Sequence, residues 1–288
     1  MDECEEKVIR DLLWTRGLGV YTTCIARNKV LFHWEEHHRR LIESCKGARI
    51  DHNKLPPSNE LQLMIWGAID QKGCQESIVW ISVSGGESLD RKTPYYGSIP
   101  RVSVIVEPFD GFNAHPLAVV FCDGGRRRPT IKMIGPYANV LVDMGEAKEF
   151  QLEIDGAERA VDDILYVDNT TKNAGMIKET AFGNFFAVTN AGELWTPAQE
   201  VLMGVTRAIA LKIAKESDIF TKVEEMPKIS ENHFSGFDEV FRTATTSGVV
   251  PIEYIGKRKF SVGESTLTEK LRKVFLKYVD NYFVDHRA

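Results

Sequence analysis

Cysteine is scarce in this chain of 288 residues, and its spacing argues against cysteine-based sites. The five cysteines are an odd number without a CxxC pair: Cys4, Cys24, Cys45, Cys74 and Cys122. Disulfide frameworks and zinc sites need paired cysteines at short, regular spacings. We therefore expect reduced thiols with structural roles, no disulfide framework and no metal site.

The chain also lacks an excess of positive charge and any long hydrophobic run. Lys and Arg number 36 against 41 Asp and Glu, so the net charge is −5 and no basic field is available for nucleic acid phosphates. Apolar runs such as 117–121 are far shorter than the ~20 residues that cross a bilayer. Residues 1–6 are acidic, where a secretory or transit segment would be basic or apolar. We expect a cytoplasmic protein that binds neither nucleic acid nor membrane.

Apolar material is plentiful, since 43% of the residues are hydrophobic, and a chain of this length can form one or two domains with a large core. Residues of high strand propensity flank a turn-like pair within 19–32, which predicts a hairpin. Next, Trp34, His38, Leu41 and Cys45 share one face of a predicted helix, and Arg40 lies off that apolar stripe.

The rest of the chain alternates between predicted strands and helices, which indicates an α+β fold. Strands are predicted at 77–84, 101–106, 117–122, 164–167, 185–188 and 249–254, and helices at 60–70, 138–150, 205–215, 237–242 and 268–283. Both periodicities fail over 107–116, which is rich in Pro, Gly and Asn. We predict a small N-terminal domain over 1–106, a linker over 107–117 and a large C-terminal domain over 118–288.

Conventional catalytic motifs are missing: the sequence has no GxSxG, no P-loop, no HExxH and no GxGxxG that opens a helix. The adjacent His37 and His38 cannot chelate one metal ion as an i, i+4 pair would, so we predict surface or packing roles for both. Arg126-Arg127-Arg128 could receive an anion, but a short basic run is more often a solvated loop end, which is our prediction here.

A scattered set of polar residues is more informative. The set is Arg40, Lys132, Tyr137, Glu179, Gly204-Val205-Thr206 and Thr245. Its surroundings include GLGVYTT at 17–23, EHHRRL at 36–41, GELWTP at 192–197 and GVTR at 204–207. In order and spacing, residues 17–251 resemble the class IV aminotransferases. The resemblance implies a two-domain α+β enzyme of fold type IV, with a small N-terminal α/β domain, a larger C-terminal pseudo-barrel α/β domain and pyridoxal 5'-phosphate (PLP) as cofactor.

The resemblance also implies roles for three residues at the reacting end of the cofactor. Lys132 stands where the family's lysine forms a Schiff base with the cofactor, a link that an amine makes reversibly with an aldehyde. Tyr137 matches a phenol that lies against the cofactor's ring oxygen. Glu179 matches the acid that pairs with the pyridine nitrogen, where a carboxylate keeps the ring protonated and able to take up electrons.

Other positions match the family's phosphate and substrate contacts. Val205 and Thr206 open an apolar-periodic segment, and the amides at a helix N-terminus favour an anion. Arg40 would add a bidentate fork and Thr245 a hydroxyl donor to the same phosphate. On the substrate side, the expected residues are Tyr21, Trp80, Thr246 and Ser247, the last two through backbone amides that receive a carboxylate.

The sequence also departs from the family pattern. The strand that ends at 83–86 has no arginine where D-amino-acid members carry a carboxylate clamp, which argues against D-specificity by that route. Thr22-Thr23 replaces the frequent Glu-Thr and resembles the lyase members, in which Thr23 would be the group near a leaving β substituent. The family's N-terminal strand is hard to find before Gly17. The substrate is therefore undecided from the sequence.

Three functions are compatible with these residues, and we rank them. The first is an aminotransferase that moves an amino group between an amino acid or amine and a 2-oxo acid. The second is a lyase of the aminodeoxychorismate type, which would use the same Lys132 and release pyruvate. The third is a non-catalytic binding protein on the same fold. Because relatives complete each site with a loop of the partner subunit, the resemblance also implies a homodimer.

Overall fold

The computed structural model describes residues 10–87, 99–112, 115–149, 151–154, 156–170 and 174–287. These residues fall into two units. The first unit takes the described residues up to Asp110, the segment Ile131–Ala138 and the C-terminal end from His286. The second unit takes Gly111–Thr130 and Asn139–Asp285. The acidic residues 1–6, including Cys4, lie outside the described residues.

A four-stranded antiparallel sheet of order β2-β1-β3-β4 forms the centre of the first unit. Its strands are β1 (Gly19–Arg27), β2 (Val30–Leu31), β3 (Glu76–Ser84) and β4 (Arg101–Pro108). The predicted hairpin over 19–32 is confirmed, and its turn places Asn28 and Lys29 at positive φ. Strand β4 continues through Pro108, inside the predicted linker of 107–117, because Pro108 still pairs with Ser77 of β3.

The helices of the first unit are α1 (Leu12–Arg16), α2 (Trp34–Ala48) and α3 (Ser58–Lys72), with a short 3-10 helix at His52–Lys54. Helix α2 packs on β1, and the apolar core between helices and sheet includes Trp34, Leu41 and Val79. The predicted buried stripe needs one correction, because His37 is buried and His38 is only half-buried. Both histidines lie within one turn of Trp34 and Leu41, so spacing alone does not separate them.

The segment Ile131–Ala138 belongs to the first unit through its backbone. The amide of Lys132 donates to Ser44 Oγ of α2 at 3.1 Å, and the carbonyl of Lys132 accepts from the amide of Tyr21 in β1 at 3.0 Å. At Gly135, a Cβ would lie 2.7 Å from the carbonyl oxygen of Gly17, so only glycine fits this close approach. Helix and strand together therefore fix the Lys132 peptide.

The second unit is built on a nine-stranded mixed sheet of order β12-β11-β10-β13-β14-β5-β8-β9, with β15 paired to β14. These strands are β5 (Leu117–Asp123), β8 (Asp163–Asp168), β9 (Met176–Thr180), β10 (Asn184–Thr189), β11 (Glu193–Pro197), β12 (Lys222–Met226), β13 (Phe237–Ala244), β14 (Gly248–Ile255) and β15 (Arg258–Lys259). A separate ribbon pairs β6 (Leu152–Ile154) with β7 (Ala157–Arg159). The core of this unit includes Val119, Leu165, Phe185 and Ile252.

The remaining helices are α4 (Tyr137–Glu149), α5 (Val205–Glu216) and α6 (Leu267–Asp285), with a 3-10 helix at Glu231–Gly236. The predicted helix over 237–242 is wrong, because these residues form the central strand β13 between β10 and β14. Phe237, Val240 and Phe241 are buried at a helix-like spacing, but a central strand covered on both faces shows no clean alternation. The helix-like spacing of these apolar residues therefore indicated the wrong period.

Four cysteines lie in the described part of the chain, and all are free thiols. Burial raises the pKa of Cys24 and Cys45 to about 12, so these two thiols stay protonated and unreactive at neutral pH. Within the described ranges, no group of His, Cys, Asp and Glu side chains is arranged to hold a metal ion. None of the helices in these ranges combines the length and the apolar character needed to cross a bilayer.

Candidate active site

The side chain of Lys132 lies among aromatic rings of the first unit. Its Nζ donates to the hydroxyl of Tyr137 at 3.3 Å and lies 4.5 Å from the centre of the Tyr21 ring. The Tyr21 and Tyr137 rings meet edge to face at 5.4 Å. Because the Lys132 peptide is held by α2 and β1, the amine is anchored at its base and bounded by two phenol rings at its tip. This arrangement suits an amine that must meet one carbonyl carbon in a defined orientation.

Tyr21 also connects the lysine to Trp80, the third aromatic candidate. Its ring stacks on Trp80 with centroids 5.9 Å apart and planes 7° apart. The two residues come from adjacent strands, β1 and β3, in which Thr23 pairs directly with Trp80. Trp80 remains 42% exposed, so the stacked pair presents an open aromatic surface continuous with Lys132. Both residues were predicted on the substrate side from the resemblance.

Arg40 takes part in a cluster of three polar side chains, which we call the Thr22–His37–Arg40 cluster. Arg40 Nη2 donates to Thr22 Oγ1 at 2.8 Å and lies 3.3 Å from His37 Nδ1. Thr22 Oγ1 lies 3.0 Å from the same ring nitrogen. Burial lowers the pKa of His37 well below its usual range, and the positive charge of Arg40 lowers it further. His37 is therefore a neutral, hydrogen-bonded residue of this cluster rather than a packing residue.

Glu179 forms a buried ion pair in the second unit. Arg126 donates to Glu179 Oε1 through Nη2, and through Nε at 3.1 Å. The other oxygen, Oε2, accepts from the amide of Leu202 at 3.2 Å and from Asn184 Nδ2 at 3.4 Å. Each side chain of the ion pair is 5% exposed. The prediction of a solvated basic run is therefore wrong for Arg126, which is paired with a residue 53 positions away.

Asn184 connects Glu179 to the loop that precedes α5. Asn184 Nδ2 also donates to the carbonyl of Leu202 at 2.6 Å, which holds the loop that leads into the helix. A Cβ at Gly204 would lie 2.3 Å from Asn184 Oδ1, so a larger residue here would have to displace the Asn184 amide. Among the residues that the structure describes, no side chain caps this helix. The amides of its first turn have no partner within the helix, which leaves Val205 and Thr206 able to donate to an anion.

The candidates Thr245, Thr246 and Ser247 form the turn that joins β13 to β14. The amide of Ser247 donates to Ala244 at 3.4 Å, a long turn hydrogen bond. Within the described part of the chain, the buried Oγ of Ser247 has no hydrogen-bond partner. Because an unsatisfied buried hydroxyl is costly, this turn offers a polar group for which a ligand could provide a partner.

The predicted site residues thus form two sets, one in each unit. Tyr21, Arg40, Trp80, Lys132 and Tyr137 belong to the first, and Glu179, Val205, Thr206, Thr245, Thr246 and Ser247 to the second. Several side chains outside the predicted site residues make direct contacts with these sets: Thr22, His37, Ser44, Arg126 and Asn184. The spacing of His37 and Arg40, three residues apart on α2, was the available signal for the first cluster.

The donor types in these two sets fit PLP. They include an amine beside a phenol, a buried carboxylate, an uncapped helix N-terminus with a glycine cradle at Gly204, and the unpartnered hydroxyl of Ser247. PLP carries an aldehyde, a phenolate, a basic ring nitrogen and a phosphate ester. These are the groups that such donors and acceptors match.

Comparison with known proteins identifies the class. The family model of amino-transferase class IV matches residues 19–255, and the chain belongs to this family. Class IV aminotransferases are PLP enzymes, and this chain is a class IV aminotransferase by family membership.

Individual relatives extend over most of the chain. A protein of Methanocaldococcus jannaschii provisionally named as a branched-chain-amino-acid aminotransferase is 27% identical over 96% of this chain and 92% of its own length. The D-alanine aminotransferase of Bacillus licheniformis is 24% identical over 88% of this chain and 85% of its own length. A solved structure from Legionella pneumophila, provisionally named 4-amino-4-deoxychorismate lyase, has a TM-score of 0.78 and 19% identity and covers 94% of both chains. The predicted α+β architecture of fold type IV is thereby confirmed.

Proposed function

We propose that this enzyme transfers an amino group between an amino acid, or an amine, and a 2-oxo acid, with PLP bound to the chain. The observation that carries the proposal is the setting of Lys132. Its amine lies 3.3 Å from the Tyr137 hydroxyl and against the Tyr21 ring, and its peptide is bonded on both sides. A transferase of this class needs one such amine, anchored and yet able to move at its tip.

The chain's other candidates supply the groups that would hold the cofactor. In this proposal, the amides of Val205 and Thr206 bind its phosphate with Arg40 and Thr245, and Tyr137 binds the ring oxygen. Glu179 provides the carboxylate for the ring nitrogen. When bound, the cofactor supplies the electron sink that allows a bond at the substrate's α-carbon to break.

Lys132 moves the proton in this reaction. As a free amine, its Nζ would take the proton from the substrate's α-carbon. It would then deliver a proton to the carbon on the other side of the substrate's nitrogen, which completes a 1,3 shift. The Tyr137 hydroxyl orients the amine through the hydrogen bond at 3.3 Å. Both proton transfers of a transamination would therefore use one flexible side chain on a fixed peptide.

On the substrate side, we assign the stacked pair Tyr21 and Trp80 to the substrate's side chain. The turn of Thr246 and Ser247 is assigned to its carboxylate. The unpartnered Ser247 Oγ and the exposed indole of Trp80 support these assignments. Amino acids and 2-oxo acids both carry a carboxylate, which agrees with hydrogen-bond donors at the turn and an aromatic surface for the rest of the substrate.

We also propose a homodimer as the active form. Large apolar side chains remain exposed on α4, with Leu141 63% and Val142 59% exposed, and such surface is typical of an interface. Sedimentation equilibrium on the purified enzyme should give twice the chain mass. A fully active monomer would overturn this part of the proposal.

The reaction is tested by mixing the purified enzyme with single amino donors and no acceptor while the absorbance of the bound cofactor is followed. Panels of L- and D-amino acids and amines should include donors that convert the cofactor to its pyridoxamine form, and a 2-oxo acid should reverse the change. Lys132→Ala is the matched control and should show no conversion. Release of pyruvate from aminodeoxychorismate, with the cofactor spectrum unchanged after each cycle, would instead identify a lyase.

A further inference from the structure

We propose that Thr22 and His37 are positioning residues that fix the guanidinium of Arg40 for binding a phosphate ester. The inference rests on the proposed function, in which Arg40 binds the phosphate of the cofactor. Thr22 and His37 lie outside the reacting centre, and their effect would be on the affinity for the cofactor's phosphate.

The hydrogen-bond directions within the cluster allow one arrangement. A guanidinium has donors only, so Arg40 Nη2 donates to Thr22 Oγ1 at 2.8 Å. The Thr22 hydroxyl has then used an acceptor position and still has its proton, which it donates to His37 Nδ1 at 3.0 Å. Arg40 Nη2, at 3.3 Å, also faces that nitrogen. Two donors therefore converge on His37 Nδ1, which must be unprotonated, and the ring proton is on Nε2.

The electrostatic setting keeps His37 in that state. The ring is buried on α2, and the groups that act on it are all positive or neutral: Arg40, His33 and Lys132. Protonation would place a second positive charge against Arg40 and remove the acceptor for Thr22. A neutral imidazole instead holds the hydroxyl, and the hydroxyl holds one end of the guanidinium.

The cluster is mounted on rigid elements. Thr22 is fully buried in β1, which is paired along its whole length with β3. His37, Arg40 and Ser44 follow one another at three- and four-residue steps on α2, and Ser44 accepts the hydrogen bond from the Lys132 amide. One helix therefore sets both the guanidinium and the peptide of the catalytic lysine. A guanidinium with its torsions already restrained loses less entropy when it binds a ligand.

Conservative variants separate positioning from simple packing. Thr22→Val keeps the shape of the side chain and removes the hydroxyl, and Thr22→Ser keeps the hydroxyl. His37→Asn retains an acceptor near the Nδ1 position, and His37→Leu does not. Each variant is first checked for folding by thermal denaturation, and its apoprotein is then titrated with PLP and, separately, with pyridoxal, which lacks the phosphate.

We expect Thr22→Val and His37→Leu to raise the dissociation constant of PLP about tenfold, the size of one hydrogen bond to a charged group. Thr22→Ser and His37→Asn should stay within about threefold of the wild type. Affinity for pyridoxal should be the same in all five proteins, because it offers nothing for Arg40 to bind. A variant that loses affinity for both compounds equally would show a structural role and contradict the inference.

The Arg40→Ala background provides the decisive comparison. If Thr22 acts through Arg40, Thr22→Val should add no further loss of PLP affinity once the guanidinium is absent. Additive losses would overturn the inference. Wild-type protein that fails to bind PLP would contradict the proposed function instead, and wild-type binding with unaffected variants would contradict the positioning role alone.

Discussion

Arg126 donates two hydrogen bonds to one oxygen of Glu179, and the two side chains are each 5% exposed. The second carboxylate oxygen is engaged by the amide of Leu202 and the side chain of Asn184. The acid that the family resemblance assigns to the cofactor ring is therefore also one half of a buried ion pair. A buried charge whose partner is removed is strongly destabilising, so the pair links the candidate site to the stability of the second unit.

Removing the guanidinium should lower the free energy of unfolding substantially. Arg126→Met leaves the Glu179 carboxylate buried without its counter-charge, and we expect a loss of about 3–5 kcal/mol in urea denaturation. Arg127→Met, on an exposed neighbour of the same loop, should change the value by no more than about 0.5 kcal/mol. The double variant Arg126→Met/Glu179→Leu should recover part of the loss. Equal effects of the two single arginine variants would mean that the ion pair is absent in solution.

The carboxylate should also matter for the reaction itself. Glu179→Gln keeps the shape and loses the charge, so the cofactor should still bind while single-turnover reaction with an amino donor slows by about two orders of magnitude or more. A neutral amide does not hold a proton on the ring nitrogen. Stopped-flow absorbance measures the rate. Glu264→Gln, on a surface glutamate paired with Lys273, serves as the control. Single-turnover kinetics equal to those of the wild type would remove Glu179 from the reaction.

Local patterns predicted the parts of the fold that local forces determine. The hairpin of β1 and β2 follows from strand propensity around a turn-like pair, and α2 from the spacing of Trp34, Leu41 and Cys45. Strand β13 was predicted as a helix because its burial depends on what covers both faces of a central strand. That covering comes from elements distant in sequence, so no window of eight residues contains it.

The site shows the same division between local and distant information. Position and residue type along the chain suggested Lys132 and Glu179 through the family resemblance. The environment of Arg126 could not be predicted, since a basic run is solvated unless a distant carboxylate meets it, and Glu179 lies 53 residues away. His37 differs from His38 only in which of them faces Thr22, a choice that depends on how α2 is rotated on β1.

The lysine assignment can be checked chemically. Purified enzyme should be yellow, and borohydride reduction followed by peptide mapping should place the reduced cofactor on Lys132. Lys178 is the informative alternative, because it is also largely buried and is paired with Asp168 at 3.1 Å. Lys132→Ala should abolish the labelling, whereas Lys178→Ala should leave the label on Lys132. A modified peptide containing any other lysine would remove the central assignment of the candidate site.

Arg40 should influence binding of the cofactor more than the reaction. It would contact the phosphate, which is remote from the bonds that change, so Arg40→Ala should raise the PLP dissociation constant by one to two decades. This range corresponds to about 1.5–3 kcal/mol for a charge-assisted pair. At saturating cofactor, kcat should stay within a few-fold of the wild type. The neighbouring Arg39→Ala, on an exposed position of α2, is the matched control. Wild-type affinity in Arg40→Ala would exclude the assigned role.

The depressed pKa of His37 should make the first unit sensitive to acid. Burial is the largest cause of this shift, and the charges of Arg40, His33 and Lys132 act in the same direction. In the unfolded chain His37 takes up a proton near pH 6.5, whereas in the folded chain it stays neutral. Its contribution to the free energy of unfolding is therefore complete above pH 6.5 and is lost as the pH falls below that value. The limiting slope for one such group is about 1.4 kcal/mol per pH unit.

The measurement is a series of urea denaturations between pH 5 and pH 8 on the wild type and on His37→Asn. Other titrating groups, including half-buried His38, contribute equally to both proteins and cancel in the difference. We expect the stability advantage of the wild type to shrink below pH 6.5. Because His37 stays neutral in the folded protein over this range, it should not alter the pH dependence of PLP affinity, which should be parallel in the two proteins. Parallel pH dependences of stability in the two proteins would show that His37 titrates normally in the folded chain.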